Sequence, residues 1–199
     1  IEIDEAASPL GNKNNWGKVE TATIGFGHGF AITPLHLVKA YATLSNKGNE
    51  VFPTLQLDKK FKKKQTLINE ESSKYFISLL NSVVLKTKYT GPRVKVEGYS
   101  IGGKTGTSEL LNPKGGYYKD RNLTSFIGIF PTNNPKYVVY TAIEYPKKEI
   151  GTNQRMTGAR VNAPLVKDII INIINLFNIS KDNSEKLLKV DTNTLYRKL

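Results

Sequence analysis

Lys104-Thr105-Gly106-Thr107 is the stretch of this sequence whose residue types and spacing fit a defined chemistry. Acyl transfer by a serine needs fixed positive potential near the nucleophile and near an anionic substrate group, which a lysine ammonium supplies. A hydroxyl such as that of Thr105 binds a substrate carboxylate. Gly106 lets a substrate lie along the strand where a side chain would obstruct it. The backbone N–H of Thr107 is placed to donate to a developing oxyanion, an interaction worth about 3–4 kcal/mol of barrier. The bare tripeptide Lys-Thr-Gly is weak in a chain rich in those residues, and the alternative is an exposed strand end with a solvated lysine. Its setting adds weight: two glycines precede it and hydroxyl residues follow.

The elements that must position this stretch follow from local pattern. Val94, Val96 and Tyr99 to Ile101 read as a strand running through Gly102-Gly103 into the motif. Leu123 to Phe130 and Tyr137 to Tyr145 read as two more strands. Pro131-Thr132-Asn133-Asn134-Pro135 joins them as a tight turn, so those two pair antiparallel. Residues 108–122 read as an excursion between the first two strands. Upstream, Thr33-Pro34 opens a helix, with Leu37, Ala40, Tyr41 and Leu44 as its buried stripe and Gly48 at its end. Asn69 with Glu70 and Glu71 opens a second helix, with a stripe of Phe76, Leu79, Leu80 and Val83. Ala163 to Phe177 reads as a closing helix, apolar on most faces and packed against the sheet. Residues 1–24 carry no secure element. Residues 1–179 form the folded portion and 180–199 a polar tail. The order predicts an α+β fold, an antiparallel sheet flanked by helices.

Composition narrows the function classes. The chain has 199 residues, 39% hydrophobic and 23% charged, as expected of a globular domain. It has no cysteine, hence no disulfide and no thiolate-bound metal, and two histidines do not make a metal site. No cofactor is expected. No run of roughly 18 apolar residues is present to cross a bilayer. The net charge of +12 comes from 24 Lys against 5 Arg. Selective recognition of phosphate or base edges favours Arg, so no nucleic-acid partner is expected. The run Lys59-Lys60-Phe61-Lys62-Lys63-Lys64 reads as a solvated connection. With no Met at position 1, the chain reads as opening in mid-sequence.

Gly25-Phe26-Gly27-His28-Gly29-Phe30 is no dinucleotide fingerprint, for its glycine spacing is wrong. Together with Thr33-Pro34-Leu35-His36-Leu37 and Ala40-Tyr41-Ala42-Thr43-Leu44, it resembles the helix-opening signature of class B penicillin-binding proteins. Gly98-Tyr99, Gly103 through Ser108, Thr124-Ser125-Phe126-Ile127-Gly128 with Pro131, and Gly158 with Val161 and Ala163-Pro164 are similar to later segments of that family, in the same order. The likeness runs from about residue 5 to residue 178 and is greatest to the division-type (septal) members.

That resemblance implies the C-terminal portion of a serine D,D-transpeptidase, which cross-links peptidoglycan stem peptides and is acylated by β-lactam antibiotics. It implies a place on the periplasmic side of the bacterial inner membrane, with the anchor outside this chain, and cell-division or cell-wall-synthesis membrane proteins as partners. Lys104 would be the electrostatic and proton-network lysine, Thr105 and Thr107 the carboxylate contacts, and the Thr107 N–H an oxyanion donor. Phe26 and His28 match positions lining the substrate cleft. His28 has no base role on this reading, and its alternative is an ordinary loop histidine; His36 reads as a surface residue. The family also uses Ser-x-x-Lys and Ser-x-Asn. No serine here has a lysine three positions on or an asparagine two positions on. Both motifs are expected upstream of Ile1, which makes residues 1–199 inactive alone. The competing readings are a non-catalytic interaction module of the same fold and a serine β-lactamase. The latter lacks the Gly-Phe-Gly and Thr-Pro-Leu segments found here.

Overall fold

A computed structural model describes residues 16–25, 27, 32–59, 65–147 and 154–182. Phe26, His28, Gly29 and Phe30, the lysines at 60 and 62–64, and the tail beyond 182 lie outside the described residues. In chain order the elements are α1 (Lys18–Ile24), α2 (Pro34–Ser45), α3 (Glu70–Lys86), α4 (Gly91–Val94), β1 (Gly102–Leu111), β2 (Tyr117–Phe130), β3 (Tyr137–Glu144) and α5 (Gly158–Phe177). The three strands form one antiparallel sheet in the order β1-β2-β3. With helices against it, the fold is α+β, as the sequence pattern requires.

Both helix starts read from capping residues are present. Thr33 accepts from the His36 N–H at 3.1 Å, with Pro34 as the first helical residue of α2. Asn69 accepts from the Ser72 N–H at 2.7 Å and opens α3, a cap worth about 1 kcal/mol. The buried faces differ from the expected stripes. On α3 the buried residues are Ser73, Ile77, Ser78, Leu80, Asn81 and Val84, while Leu79 is exposed. Apolar residues surround this helix, so periodicity alone does not set its phase; packing against β1 does. On α2, Ala40 is exposed and Thr43 is buried. Tyr41 meets the Phe76 ring edge-on at 5.3 Å, and the Ser73 hydroxyl donates to the Leu44 carbonyl at 2.6 Å. These two contacts join α2 to α3.

The sheet also corrects the pattern. Val94 ends a short helical turn, its N–H bonded to the Thr90 carbonyl at 3.2 Å, and strand pairing begins only at Gly102. Gly91-Pro92 starts that turn, and the alternation from Val94 to Ile101 reflects burial without pairing. The stretch 108–122 is the far part of a β1–β2 hairpin, so β2 begins at Tyr117 instead of Leu123. Residues 18–24 form a short helix with no buried residue. The closing helix starts five residues earlier than expected, at Gly158.

The core lies between the sheet and α5, where Phe126, Phe130, Val139, Ala163, Val166 and Ile170 pack with Val84, Val94 and Ile101. Alternation along β2 puts Phe126, Gly128 and Phe130 on the α5 side and Ile127 and Ile129 on the other, where α3 reaches β1. Truncating the fully buried Phe126 to Ala costs about 3–5 kcal/mol. The described fold continues past α5. The Asp182 N–H bonds the Gly98 carbonyl at 3.0 Å, and Tyr99 Oη donates to the Ile179 carbonyl at 2.8 Å.

Candidate active-site strand

β1 pairs only with β2 among the described residues, so one of its edges is open. Lys104 and Thr107 are exposed and Thr105 and Gly106 half-buried, opposite Ile127, Thr124, Phe126 and Ser125 respectively. The motif is therefore a strand on the sheet's rim, as expected. No metal-ligand cluster occurs among the described residues.

Close backbone packing fixes this strand. A Cβ on Gly102 would stand 2.9 Å from the Asn81 backbone nitrogen, and one on Gly103 would enter the Phe126 ring and lie 2.8 Å from the Ile127 carbonyl. Asn81 Nδ2 donates to the Ile101 carbonyl at 3.0 Å, a buried bond that sets the height at which α3 meets the strand. The sequence gives no hint of it, because Asn81 lies inside a helix 20 positions away. A third support comes from the chain after α5. The Ser100 N–H reaches both carboxylate oxygens of Asp182, at 3.1 and 3.0 Å, and the Ser100 hydroxyl donates to Asp182 Oδ2. The Thr132 N–H in turn reaches Ser100 Oγ at 2.9 Å. The residues just before the motif are thereby clasped from two sides.

The four motif residues occupy distinct environments. Lys104 Nζ donates to the Thr105 carbonyl at 2.7 Å, so its ammonium rests on its own strand. Thr107 Oγ1 accepts from the Gly158 N–H at 3.3 Å, which places this hydroxyl at the first residue of the 20-residue α5. A helix N-terminus carries positive potential, so an anion beside Thr107 is favoured there. A Cβ on Gly106 would point at the Ser125 hydroxyl, across the sheet face and not out of the strand edge. Gly106 is thus constrained by Ser125. The cleft residues expected at Phe26 and His28 lie outside the described residues. His36 is exposed, with Nδ1 3.0 Å from Thr33 Oγ1, and belongs to the helix cap.

The serine hydroxyls of Ser45, Ser73 and Ser78 bond backbone carbonyls, and that of Ser100 bonds Asp182. Among the described residues no serine is bonded to a lysine ammonium. The rim strand carries a lysine and two threonine hydroxyls, and among the described residues no lysine-bonded serine accompanies them.

Comparison with known proteins agrees with this geometry. The penicillin binding protein transpeptidase domain family matches residues 1–171. Stage V sporulation protein D of Bacillus subtilis is 39% identical over 166 residues, covering 77% of this chain and 24% of that protein. A peptidoglycan D,D-transpeptidase FtsI homolog of Mesostigma viride is 34% identical over 182 residues, 81% of this chain and 30% of its own length. Penicillin binding protein 3 of Mycobacterium tuberculosis, solved with ampicillin, superposes with a TM-score of 0.76 at 25% identity, covering 94% of this chain and 45% of that one. The chain thus spans only 24% and 30% of the length of these two curated relatives. By sequence and by fold, this chain belongs to the penicillin-binding protein transpeptidase domain family.

Proposed function

We propose that the chain supplies the substrate-binding strand of a peptidoglycan D,D-transpeptidase of septal cell-wall synthesis. Its nucleophilic serine is carried by a part of the protein outside these residues. The observation that carries the reading is the open rim of β1 at Lys104 to Thr107, with the start of α5 directly behind Thr107. The stem peptide lies along that rim. Lys104 sets the positive potential beside the serine. Because Thr107 Oγ1 accepts from Gly158, its own proton is directed away from the helix and is available to a substrate carboxylate, with Thr105 as a second hydroxyl. The Thr107 N–H serves the oxyanion.

β-Lactam antibiotics acylate the same serine on this reading, in keeping with the ampicillin complex of the M. tuberculosis relative. The working location is the periplasmic side of the bacterial inner membrane, among membrane proteins of cell division. No helix among the described residues is long and apolar enough to cross a membrane.

The test is labelling by a fluorescent penicillin. The full-length protein takes up label, and Lys104→Ala slows acylation by at least tenfold with the melting temperature retained, since Lys104 is exposed. Residues 1–199 alone take up none. Full-length protein that never forms an adduct points to the non-catalytic homologue. Unchanged acylation in the Lys104 variant removes the lysine from its role, and a stable adduct on residues 1–199 contradicts the external serine.

A further inference from the structure

Of the residues that α5 buries, Gly158, Asn162, Ala163, Val166, Ile170 and Ile174, only Asn162 has a polar side chain. It is fully buried, and its Nδ2 donates to Thr141 Oγ1 of β3 at 3.2 Å. Thr141 stands directly opposite Phe126, and Phe126 opposite Thr105, so all three lie on the α5 side of the sheet. The bond therefore sits at one end of a cross-strand row whose other end is in the motif.

Among the described residues, two hydrogen bonds tie α5 to the sheet: Gly158 N–H to Thr107 Oγ1 on β1, and Asn162 to Thr141 on β3. The donors are four residues apart, one turn or about 6 Å along the same helix face. The acceptors are on the two outer strands, with β2 between them. The helix is thus held at two points across the width of the sheet. The rest of that face packs through Phe126, Phe130, Val139, Ala163 and Val166. Apolar burial is non-directional and does not by itself stop a helix from rolling or sliding, whereas a hydrogen bond prefers one geometry. A helix pinned only at Gly158 would still pivot about Thr107. The second bond removes that freedom. It gives little net stability, because Asn162 Oδ1 is buried without a partner among the described residues. An unsatisfied buried acceptor costs at least as much as one such bond contributes.

We infer that Asn162 is a positioning residue for acyl transfer: its bond to Thr141 fixes how α5 sits on the sheet, and through Gly158 where the Thr107 hydroxyl stands on the rim. This rests on the transpeptidase reading above. Because the pair supplies direction and little stability, activity and stability should respond to its removal in different ways.

The experiment measures the acylation rate of the full-length protein with a fluorescent penicillin, beside its melting temperature. Asn162→Leu combined with Thr141→Val removes both polar groups and keeps the number of side-chain atoms. This protein should melt no lower than the wild type, since the partners leave together. It should nevertheless be acylated about tenfold more slowly, because small misplacements around a reacting centre are costly. Thr141→Ser keeps the accepting hydroxyl and loses a methyl, so it should melt slightly lower yet recover most of the wild-type rate. In protein already carrying Thr107→Val, the paired substitution should lose most of its effect, because the hydroxyl it aligns is gone. Wild-type acylation in the paired variant, a Thr141→Ser protein as slow as Thr141→Val, or losses that simply multiply with that of Thr107→Val would each overturn the inference. Failure of the underlying reading is separate, because it shows as wild-type protein that takes up no penicillin.

Discussion

Gly158 stands so close over Gly106 that a side-chain carbon on it would lie 2.8 Å from the Gly106 carbonyl and run into that of Ser125. The first residue of α5 thus lies against the backbone of the motif strand, and its N–H holds Thr107. Both obstructing atoms are main-chain, so no rotamer change makes room. Gly158→Ala should lift the helix start from the strand, destabilise the fold by about 1–3 kcal/mol and lower penicillin acylation. Chemical denaturation and labelling of the full-length protein measure the two effects. A variant with wild-type stability and acylation would show that this contact is not a constraint.

Gly106 meets a different obstacle. Its added Cβ would encounter the end of the Ser125 side chain, which is able to yield. Gly106→Ala should therefore impair acylation more than stability. Adding Ser125→Ala should restore stability while leaving acylation low, if a substrate must also pass the strand. A double-mutant cycle separates the two effects. Full recovery of acylation in the double variant would make Ser125 the sole reason for the glycine.

The Asp182 carboxylate receives the N–H and hydroxyl of Ser100, which is buried. Asp182→Ala strands both donors and should cost about 1–3 kcal/mol, with Asp182→Asn costing less because one acceptor oxygen remains. Urea midpoints of the two variants give the comparison. This residue lies beyond the stretch matched by the family, which ends at 171.

Glu70, in the first turn of α3, bonds the Lys74 ammonium at 3.0 Å and has Lys47 at 3.6 Å. The hydrogen bond from Lys74, then the charges of Lys47 and Lys74, hold its carboxyl below the ordinary value of 4.5. A lowered folded-state pKa means that the carboxylate stabilises the fold above the ordinary carboxylate range. The contribution fades as pH falls through the lowered value. Glu70→Gln should therefore melt slightly below wild type at pH 7, and the gap should close in acid. A gap that is constant with pH would exclude ionisation as its source.

Features governed by adjacent residues were legible in the sequence. Thr33-Pro34 and Asn69-Glu70-Glu71 mark helix starts through their own capping chemistry, and the turn from Pro131 to Pro135 sets the β2–β3 pairing. The motif at Lys104 to Thr107 and its place on a strand were legible too. What failed depended on distant atoms. Leu79 looked as buried as Leu80 until β1 chose the face of α3. Val94 to Ile101 alternates like a strand, yet burial without a pairing partner produces the same pattern. The supports of the motif strand were invisible for the same reason: Gly158, Asn81 and Asp182 lie far from it in sequence, and their roles arise only through packing.

The Ser100–Asp182 contact joins residues 82 positions apart, whereas the strands of the sheet meet across short turns. Loop closure over a longer span costs more entropy, so the hairpins have the advantage in forming first and the long-range contact closes onto them afterwards. In a chain made from its N-terminus, Lys104 to Thr107 leave the ribosome well before Asp182. The rim strand is therefore laid down early, and its alignment is completed only when the segment that follows α5 has arrived.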